Sequence, residues 1–307
     1  MNNHCNQLLI FCLVGIIALF SSVASAAQDM PLTSIGPGNA TYSGIYEHTI
    51  TLRDGRWEGE PFIKGGASRP AVGLVEDFSL TGNLDGDGEM ERAVVLWENS
   101  GGTGIQNYLA VMGEKEGRLV NLSTTLIGDR VQLRAGRIIN GKIELDVIQH
   151  GPDEPACCPS QKATRIWSLK GKVLIQEETL LKGRLSLVDL EGVEWVLFRI
   201  KWEEALPAKP GVTLRFAGDK ISGKSACNNY FAGVRESGNV AGDIRIGSVG
   251  STKMECPEEA MTLERRYFEA LDGVVKFSFM GGKLALNWKM GETWDTMLFV
   301  SRKQQLQ

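Results

Sequence analysis

Short apolar runs that alternate with polar residues and end at glycines recur between residues 40 and 180. One alternating pair flanks Asp54-Gly55, a dipeptide typical of two-residue hairpin turns. Three further pairs follow, at residues 108–122, 138–148 and 165–177. No stretch here shows the 3.6-residue apolar period of a helix. The pattern therefore predicts an all-β N-terminal domain of antiparallel strands, which we place at residues 31–182.

The pattern changes in the second part of the chain, residues 187–301, where one helix joins the strands. The helix is predicted between Pro257, which suits a first turn, and Gly273, which suits a helix end. Its apolar stripe consists of Ala260, Leu263, Tyr267 and Leu271. Strands are predicted at residues 194–200, 212–217, 229–234, 274–280, 283–288 and 296–300. We therefore expect a mainly β chain whose second domain is α+β, with one helix packed on a sheet.

The N-terminus carries a segment of a different kind. Leu8–Phe20 is an apolar run, and Ala24-Ser25-Ala26 follows it with the small-x-small spacing that suits signal peptidase. The run is shorter than the roughly 20 residues that a membrane-spanning helix needs. We expect residues 1–26 to be a cleaved signal peptide; a retained anchor is the alternative, because no Lys or Arg precedes the run. The mature protein would then be periplasmic or associated with the cell envelope, without a membrane span.

Export changes the interpretation of the cysteines. Cys5 and Cys12 would leave with the signal peptide, and four cysteines would remain: Cys157, Cys158, Cys227 and Cys256. In an oxidising compartment four cysteines predict two disulfides, with three possible connectivities. The net charge of the chain is −4. Because a nucleic-acid surface needs a concentration of basic residues, we expect no nucleic-acid partner.

The octapeptide G-D-K-I-S-G-K-S at Gly218–Ser225 matches the pattern of a phosphate-binding loop. A working loop of this kind leads directly into a helix, whose N-terminus faces the phosphates. The residues that follow, A-C-N-N-Y-F-A-G, favour a turn and a strand instead. An exported protein also lacks the usual supply of ATP. We therefore expect no nucleotide site and interpret the octapeptide as a hairpin turn.

Two ordered motifs occupy this region. The first, S-G-K-S-A-C-N-N-Y-F-A-G, contains Gly223, Cys227, Asn228 and Tyr230. The second, S-T-K-M-E-C-P-E-E, contains Thr252, Met254 and Cys256 directly before the predicted helix. Together with W-V-L at Trp195 and the late K-L-A-L-N-W, they resemble the META domain (HslJ-like) family over residues 187–301. Ala226 departs from that family, in which many members have glycine before the cysteine.

The resemblance implies a small twisted antiparallel sheet, partly closed into a barrel, with one helix packed on it. Members of the family are mostly exported or envelope-associated and are linked to heat shock, envelope stress, drug tolerance and virulence. The family has no established activity, so no catalytic residue is carried over to this chain. If the chain has the fold of this family, Gly223 and Gly233 would be turn or bulge positions, and Lys224 would have an exposed side chain.

Cys227 and Cys256 occupy signature positions of this family, which favours a disulfide between them. The bond would close a loop of roughly 30 residues and stabilise the fold by about 3 kcal/mol in the chain-entropy description. Two buried free thiols, packed as small apolar groups, are the alternative.

Cys157 and Cys158 are adjacent, in a loop with prolines on both sides. We predict a vicinal disulfide or a redox-labile loop. A metal site formed with His150 is the alternative, although no Cys-x-x-Cys pair accompanies these residues.

The segment G-N-L-D-G-D-G-E-M-E-R has oxygen ligands at the spacing of a Ca²⁺ loop. The candidate ligands are Asn83, Asp85, Asp87, the Glu89 carbonyl and Glu91. The segment is similar to the calcium loops of integrin-like and bacterial surface repeats, but begins with Asn and ends with Glu where Asp is usual. An Asx-rich turn that needs no ion is the alternative. With G-G-T-G at residues 101–104 and C-C-P-S, this part of the chain resembles a domain of unknown role in exported bacterial proteins.

Catalysis has little support in the residue pattern. The mature chain would keep only His48 and His150, and it contains no G-x-S-x-G motif. The acidic pairs Glu203-Glu204 and Glu258-Glu259 suit solvated or helix-start positions. We therefore hypothesise a non-enzymatic envelope protein that binds a small ligand or an envelope protein, or supports the envelope under stress. A secreted hydrolase or inhibitor with a cleft between the two domains is the alternative.

Overall fold

Antiparallel strands make up most of the structure, a computed structural model that describes residues 36–152, 154–155, 157–206, 211–238 and 240–302. The predicted signal peptide, residues 1–26, lies outside the described residues. The first strands are β1 Thr41–Tyr42, β2 Ile50–Thr51, β3 Arg56–Glu58, β4 Ala71–Gly82, β5 Glu91–Asn99, β6 Gln106–Lys115, β7 Arg118–Asp129, β8 Gln132–Ile139, β9 Lys142–Gln149, β10 Gln161–Lys170 and β11 Val173–Arg184.

The elements that follow include the helix α1. They are β12 Trp195–Lys201, β13 Glu204–Ala205, β14 Thr213–Ala217, β15 Lys220–Lys224, β16 Asn229–Glu236, β17 Ile244–Ile246, β18 Gly250–Ser251, α1 Glu258–Asp272, β19 Val274–Met280, β20 Lys283–Met290 and β21 Thr293–Ser301. Short 3₁₀ turns lie at Pro37–Asn39 and Leu187–Leu190. The prediction of a mainly β chain with one helix is confirmed for the described residues, and the limits at residues 182 and 187 stay a prediction.

The predicted hairpins in the first part are confirmed as β6–β7, β8–β9 and β10–β11. Asn140-Gly141, which joins β8 and β9, has the left-handed φ angles that a two-residue hairpin turn needs. Asp54-Gly55 has the same conformation, but its flanking strands diverge: β2 pairs with β1, and β3 pairs with β4. Asp54-Gly55 therefore closes a hairpin as predicted, because Arg53 and Arg56 form an antiparallel bridge across the turn. Beyond that pair, β2 and β3 separate and pair with other strands.

A five-stranded sheet, β3-β4-β5-β6-β7, is covered on both faces. On one face Val95 and Val111 pack against the four-stranded sheet β11-β10-β9-β8. On the other face Val94 and Met112 pack against β1 and β2. Burial on both faces explains why residues 93–96 are apolar without alternation, since neither face of that strand meets water.

The second part of the chain forms a ten-stranded sheet, mostly in the order β17-β16-β15-β14-β12-β21-β20-β19. Its two end strands meet, because Asp243 and Lys276 form a β-bridge and the Phe277 N–H donates to the Gly242 carbonyl (2.8 Å). The sheet therefore curls into a nearly closed barrel, and α1 adds Tyr267 to its core. This is the partly closed barrel with one helix that the family resemblance implies.

The β19–β20 hairpin joins the barrel to the first part of the chain. The Gly282 N–H at its tip donates to the Leu133 carbonyl (3.0 Å). The Lys283 ammonium donates to the Glu76 carbonyl (3.0 Å) and pairs with the Asp77 carboxylate (3.2 Å). Lys283 is 8% exposed, so this ion pair fixes a buried cation at the contact. Among the described residues, no helix is long and apolar enough to cross a membrane.

Candidate functional site

Glu264 is a charged residue on the buried side of α1. The helix runs between Pro257 and Gly273, as its sequence predicts, and its buried face includes Ala260 and Tyr267. Glu264 is 7% exposed. It lies four residues after Ala260 and three before Tyr267, so helical spacing places it in the same stripe. A carboxylate in this position needs internal hydrogen-bond donors, because water does not reach it.

The donors come from the turn between β15 and β16. The Ser225 hydroxyl donates to Glu264 Oε2, which also accepts from the Asn228 N–H (2.8 Å). The Asn228 side-chain amide donates to Glu264 Oε1 (3.0 Å), and the Cys227 N–H also donates to this carboxylate. Four donors therefore surround one carboxylate, and none of them carries a positive charge.

Asn228 also binds residues of the second motif. Its Oδ1 accepts from the Met254 N–H (2.7 Å) and from the Thr252 hydroxyl (2.8 Å). The Thr252 N–H in turn donates to the Asn229 carbonyl (3.0 Å). The helix, the turn after β15 and the segment before the helix are thus held by one connected set of hydrogen bonds. We call Ser225, Asn228, Thr252 and Glu264 the polar node.

The pKa of Glu264 is lower than its ordinary value. Burial alone raises the pKa of this carboxyl, but the hydrogen bonds from Ser225, Asn228 and Cys227 stabilise the carboxylate more and lower it overall. The group is therefore ionised at neutral pH. An ionised carboxylate with every donor directed at it is suited to holding the fold together and unsuited to donating a proton.

Cys227 and Cys256 flank the polar node. Their sulfurs lie at disulfide-bonding distance, with 6.0 Å between the Cα atoms, which is typical of a disulfide. Cys227 is 2% exposed. The cysteine pair joins the β15–β16 turn to the start of α1. The hydrogen bonds of Asn228 connect the same turn to the segment before the helix.

The other motif residues pack around the node in different ways. The Tyr230 hydroxyl lies 2.6 Å from that of Tyr267 on α1 and donates to the Thr213 carbonyl (2.9 Å). Gly223 lies inside β15, where a Cβ would overlap the Thr213 carbonyl. The expectation of turn or bulge positions at Gly223 and Gly233 is wrong, because both lie within strands and the β15–β16 pairing includes both without a register shift. Met254 contributes its main chain, while its side chain is 51% exposed.

Residues 188–303 match the family model of the META domain. The resemblance inferred from the two motifs is confirmed. The chain is also similar to a solved structure, the NMR structure of a protein from Burkholderia xenovorans, with 20% identity over 38% of this chain and 85% of that one and a TM-score of 0.28. No curated protein matches the chain.

Within the META region, Gly218–Ser225 forms the end of one hairpin. Gly218 and Asp219 make the turn, with Gly218 at a φ of +58°, and Lys220–Lys224 is the strand β15. The predicted turn is therefore limited to two residues. The chain continues into β16 rather than a helix, and the Lys224 side chain is exposed on the barrel surface.

The predicted calcium loop brings three carboxylates together. Ligand oxygens of Asp85, Asp87 and Glu91 lie within 4.8 Å of one another. Glu91 is buried and accepts from the Leu84 N–H (2.6 Å). Asn83 accepts from the Gly86 N–H (2.6 Å), so part of the loop is also an Asx turn. The calcium site stays a prediction, based on three like charges that a divalent cation would neutralise.

Cys157 and Cys158 have sulfurs at bonding distance, and Cys157 is exposed. Their loop is anchored by Glu154, which accepts from the Gly151 N–H (3.0 Å). Neither ring nitrogen of His150 has a hydrogen-bond partner in the described part of the chain. The alternative metal site of Cys157, Cys158 and His150 is not assembled there, since the only cluster of three ligating side chains found in those residues is the carboxylate group of the calcium loop.

The surface of the described residues includes two open depressions that could take a ligand. A cleft of about 170 Å³ lies between the four-stranded sheet and the barrel, and its lining includes Asp146, Asp189 and Trp195. A groove of about 310 Å³ lies on the barrel alone. Its lining residues are Trp202, Lys276, Asn287, Trp294, Asp295 and Thr296. Neither set of residues stands out in the sequence, because strands distant in the chain supply them.

Ser225 and Glu264 are the node residues that sequence reasoning missed. The position of Glu264 could have indicated its role. It is a charged residue at helical spacing from Ala260 and Tyr267, in a stripe whose other members are apolar and buried. Ser225 lies in the first motif and ends the phosphate-loop pattern, and neither pattern indicates that its hydroxyl contacts a carboxylate of the helix.

Replacing Glu264 with glutamine should lower the free energy of unfolding by about 2 kcal/mol near neutral pH, because the new amide directs a donor at existing donors. The folded pKa lies below the ordinary value of 4.5. The stabilisation by the Glu264 carboxylate is therefore fully present above the pKa that this group has in the unfolded chain. It is lost as the pH falls through the pKa of the same group in the folded protein. Urea unfolding from about pH 7 to about pH 3 should show the difference between the two proteins shrinking in acid.

Glu269→Gln, an exposed position on the same helix, is the matched control and should change stability by less than about 0.5 kcal/mol. A Glu264→Gln protein as stable as the original near neutral pH would contradict the assigned role of this carboxylate.

The disulfide between Cys227 and Cys256 is testable by alkylation and mass measurement of the folded protein with and without reductant. We expect peptides containing these cysteines to take up alkyl groups only after reduction. The Cys227→Ser/Cys256→Ser protein should lose about 3 kcal/mol of stability. Alkylation of both cysteines without reductant would show that they are free thiols.

Adding Ca²⁺ to the full chain should raise Tm by roughly 2–4 °C for each kcal/mol of binding free energy. Asp85→Asn/Asp87→Asn should abolish the rise, while Glu89→Gln, whose side chain is not a proposed ligand, should retain it. An unchanged Tm at millimolar Ca²⁺ would favour the ion-free Asx turn.

Proposed function

We propose that this protein is an exported, non-enzymatic binding protein of the cell envelope, and that its META region is a rigid scaffold for that binding. One observation carries the proposal: the side chains of the polar node are directed at one another. Asn228 uses its amide oxygen and nitrogen, and Glu264 uses its carboxylate oxygens, in internal hydrogen bonds. A site of that kind supports stability, and leaves ligand contacts to other surfaces of the barrel.

Export is supported by two independent features. The apolar segment and the Ala24-Ser25-Ala26 sequence have the order of a signal peptide. The four remaining cysteines form two pairs whose sulfurs are at bonding distance. Disulfides persist in oxidising compartments and are rare in the cytosol, so paired cysteines agree with an envelope location.

The charges in the cleft support binding over hydrolysis. The Asp189 carboxylate pairs with Lys162 (2.8 Å). Burial raises the pKa of Asp146, but hydrogen bonds from Thr164 and Lys182 outweigh it and lower the pKa overall. Acid catalysis by a carboxyl group requires a protonated group near neutral pH, usually through a raised pKa. A lowered pKa favours a permanently charged carboxylate, as in an ion-paired binding surface.

Fractionation of cells that express the full chain tests the location. The protein should be recovered with the periplasm or envelope, and a chain without residues 1–26 should remain in the cytoplasm. Recovery of the full chain from the cytoplasm would contradict the proposal.

Incubation of the purified protein with isolated envelopes tests the activity. We expect the protein to sediment with the envelopes while the release of soluble fragments stays at the level of buffer. Fragment release that increases with time and disappears in Asp146→Asn would instead support the hydrolase.

A further inference from the structure

The outer face of the β19–β20–β21 part of the barrel is covered at one end and open at the other. Near the hairpin tip, Lys283 is buried against Glu76, and Ala285 is 1% exposed. Asn287 and Lys289, farther along β20 on the same face, are only partly buried. The open end of this face is where the groove of about 310 Å³ lies.

The floor of the groove is a polar row that crosses three strands. Lys276 on β19 is the register partner of Asn287 on β20, and Asn287 is the partner of Thr296 on β21. The Thr296 hydroxyl donates to Asn287 Oδ1 (2.8 Å). This bond leaves the Asn287 amide N–H groups without a hydrogen-bond partner among the described residues, and thus available to a ligand.

Two exposed tryptophans form the walls. Trp294 is 60% exposed and Trp202 is 46% exposed. The Trp202 N–H donates to Asp295 Oδ1 (2.8 Å), and its carbonyl accepts from Arg199 (3.0 Å), so both sides of its turn are anchored. Two exposed indole rings that line the same groove form an apolar surface that a ligand can cover. Their backbone positions are fixed before any ligand arrives, which lowers the entropic cost of binding.

We propose that this two-tryptophan groove binds an uncharged saccharide. A pyranose ring has a face of C–H groups, which suits the flat apolar face of an indole, and a rim of hydroxyl groups. The polar row of Lys276, Asn287 and Thr296 supplies donors and acceptors for those hydroxyls. The volume lies at the lower end of the roughly 300–1,000 Å³ of small-ligand sites, which suits one or two sugar rings.

The charges at the groove disfavour other ligands that stack on tryptophan. A quaternary ammonium ligand would meet Lys276 in the lining, and the Lys289 ammonium already lies 5.4 Å from the centre of the Trp294 ring. A single-stranded nucleic acid needs a positively charged path for its phosphates. Here the groove lining contains one acidic side chain, Asp295, and the Lys276 ammonium lies 3.8 Å from the Asp243 carboxylate. The chain as a whole has a net charge of −4. A neutral polyhydroxylated ligand is the one that both the rings and the charges fit.

Titration of the full protein with cellotetraose and with the tetramer of N-acetylglucosamine tests the proposal. Tryptophan fluorescence should change saturably with at least one of them, and calorimetry should give a matching Kd. We expect Trp202→Ala and Trp294→Ala each to weaken binding about tenfold, and Asn287→Ala to weaken it about fivefold. Phe231→Ala, which removes a 65% exposed ring from β16 outside the groove, should leave the Kd unchanged.

No signal with either saccharide at about 10 mM, where even a millimolar Kd would give nearly full occupancy, would overturn the proposal. Binding that survives in Trp202→Ala/Trp294→Ala would overturn it as well. The substituted aromatic side chains are exposed and Asn287 is only partly buried, and an unchanged Tm would verify that the variants are folded.

This inference deepens the proposed binding function and rests on it, but the two fail separately. If the protein sediments with envelopes and binds neither saccharide, the ligand class is wrong and the binding function stands. If it binds a saccharide through the tryptophans but is recovered from the cytoplasm, the envelope function is wrong.

Discussion

A buried carboxylate that must be surrounded by donors is the constraint on which the META region depends. Glu264 lies on the inner face of α1 without a cationic partner among the described residues, so its charge is compensated only by hydrogen bonds. Those bonds require Ser225 and Asn228 to occupy one particular turn after β15. Because the same Asn228 also binds the segment before the helix, the carboxylate determines how helix, turn and barrel fit together.

The barrel is also anchored from outside by the first part of the chain. The tip of the β19–β20 hairpin reaches β8 through Gly282. Through Lys283 it reaches a bulge in β4, where the pairing with β5 shifts register between Leu74 and Ser79. Asp77 in that bulge has a φ of +58°, a conformation that few non-glycine residues adopt. This contact covers one end of the outer face of β19, β20 and β21. The groove lies on the uncovered part of the same face. The same strands therefore serve for assembly at one end and remain accessible at the other.

The residues that identify the family are therefore different from the residues that are available to bind a ligand. Cys227, Asn228 and Tyr230 are buried and contact other parts of the barrel. Trp202 and Trp294, which belong to neither motif, have exposed rings. A scaffold motif of this kind can hold a fold constant while the surface varies, since nothing in the polar node restricts what the outer strands carry.

The sequence by itself determined the mainly β class, the hairpins from β6 to β11 and the single helix, because alternation, turn dipeptides and helix ends are local properties. It also identified the META motifs, since these are contiguous. The burial of Glu264, the separation of β2 from β3 beyond the Arg53–Arg56 pair and the placement of Trp202 and Trp294 in one groove were decided only by the tertiary structure. Each depends on which distant strands become neighbours when the sheet closes. That choice follows from the packing of whole faces, which no short stretch of sequence contains.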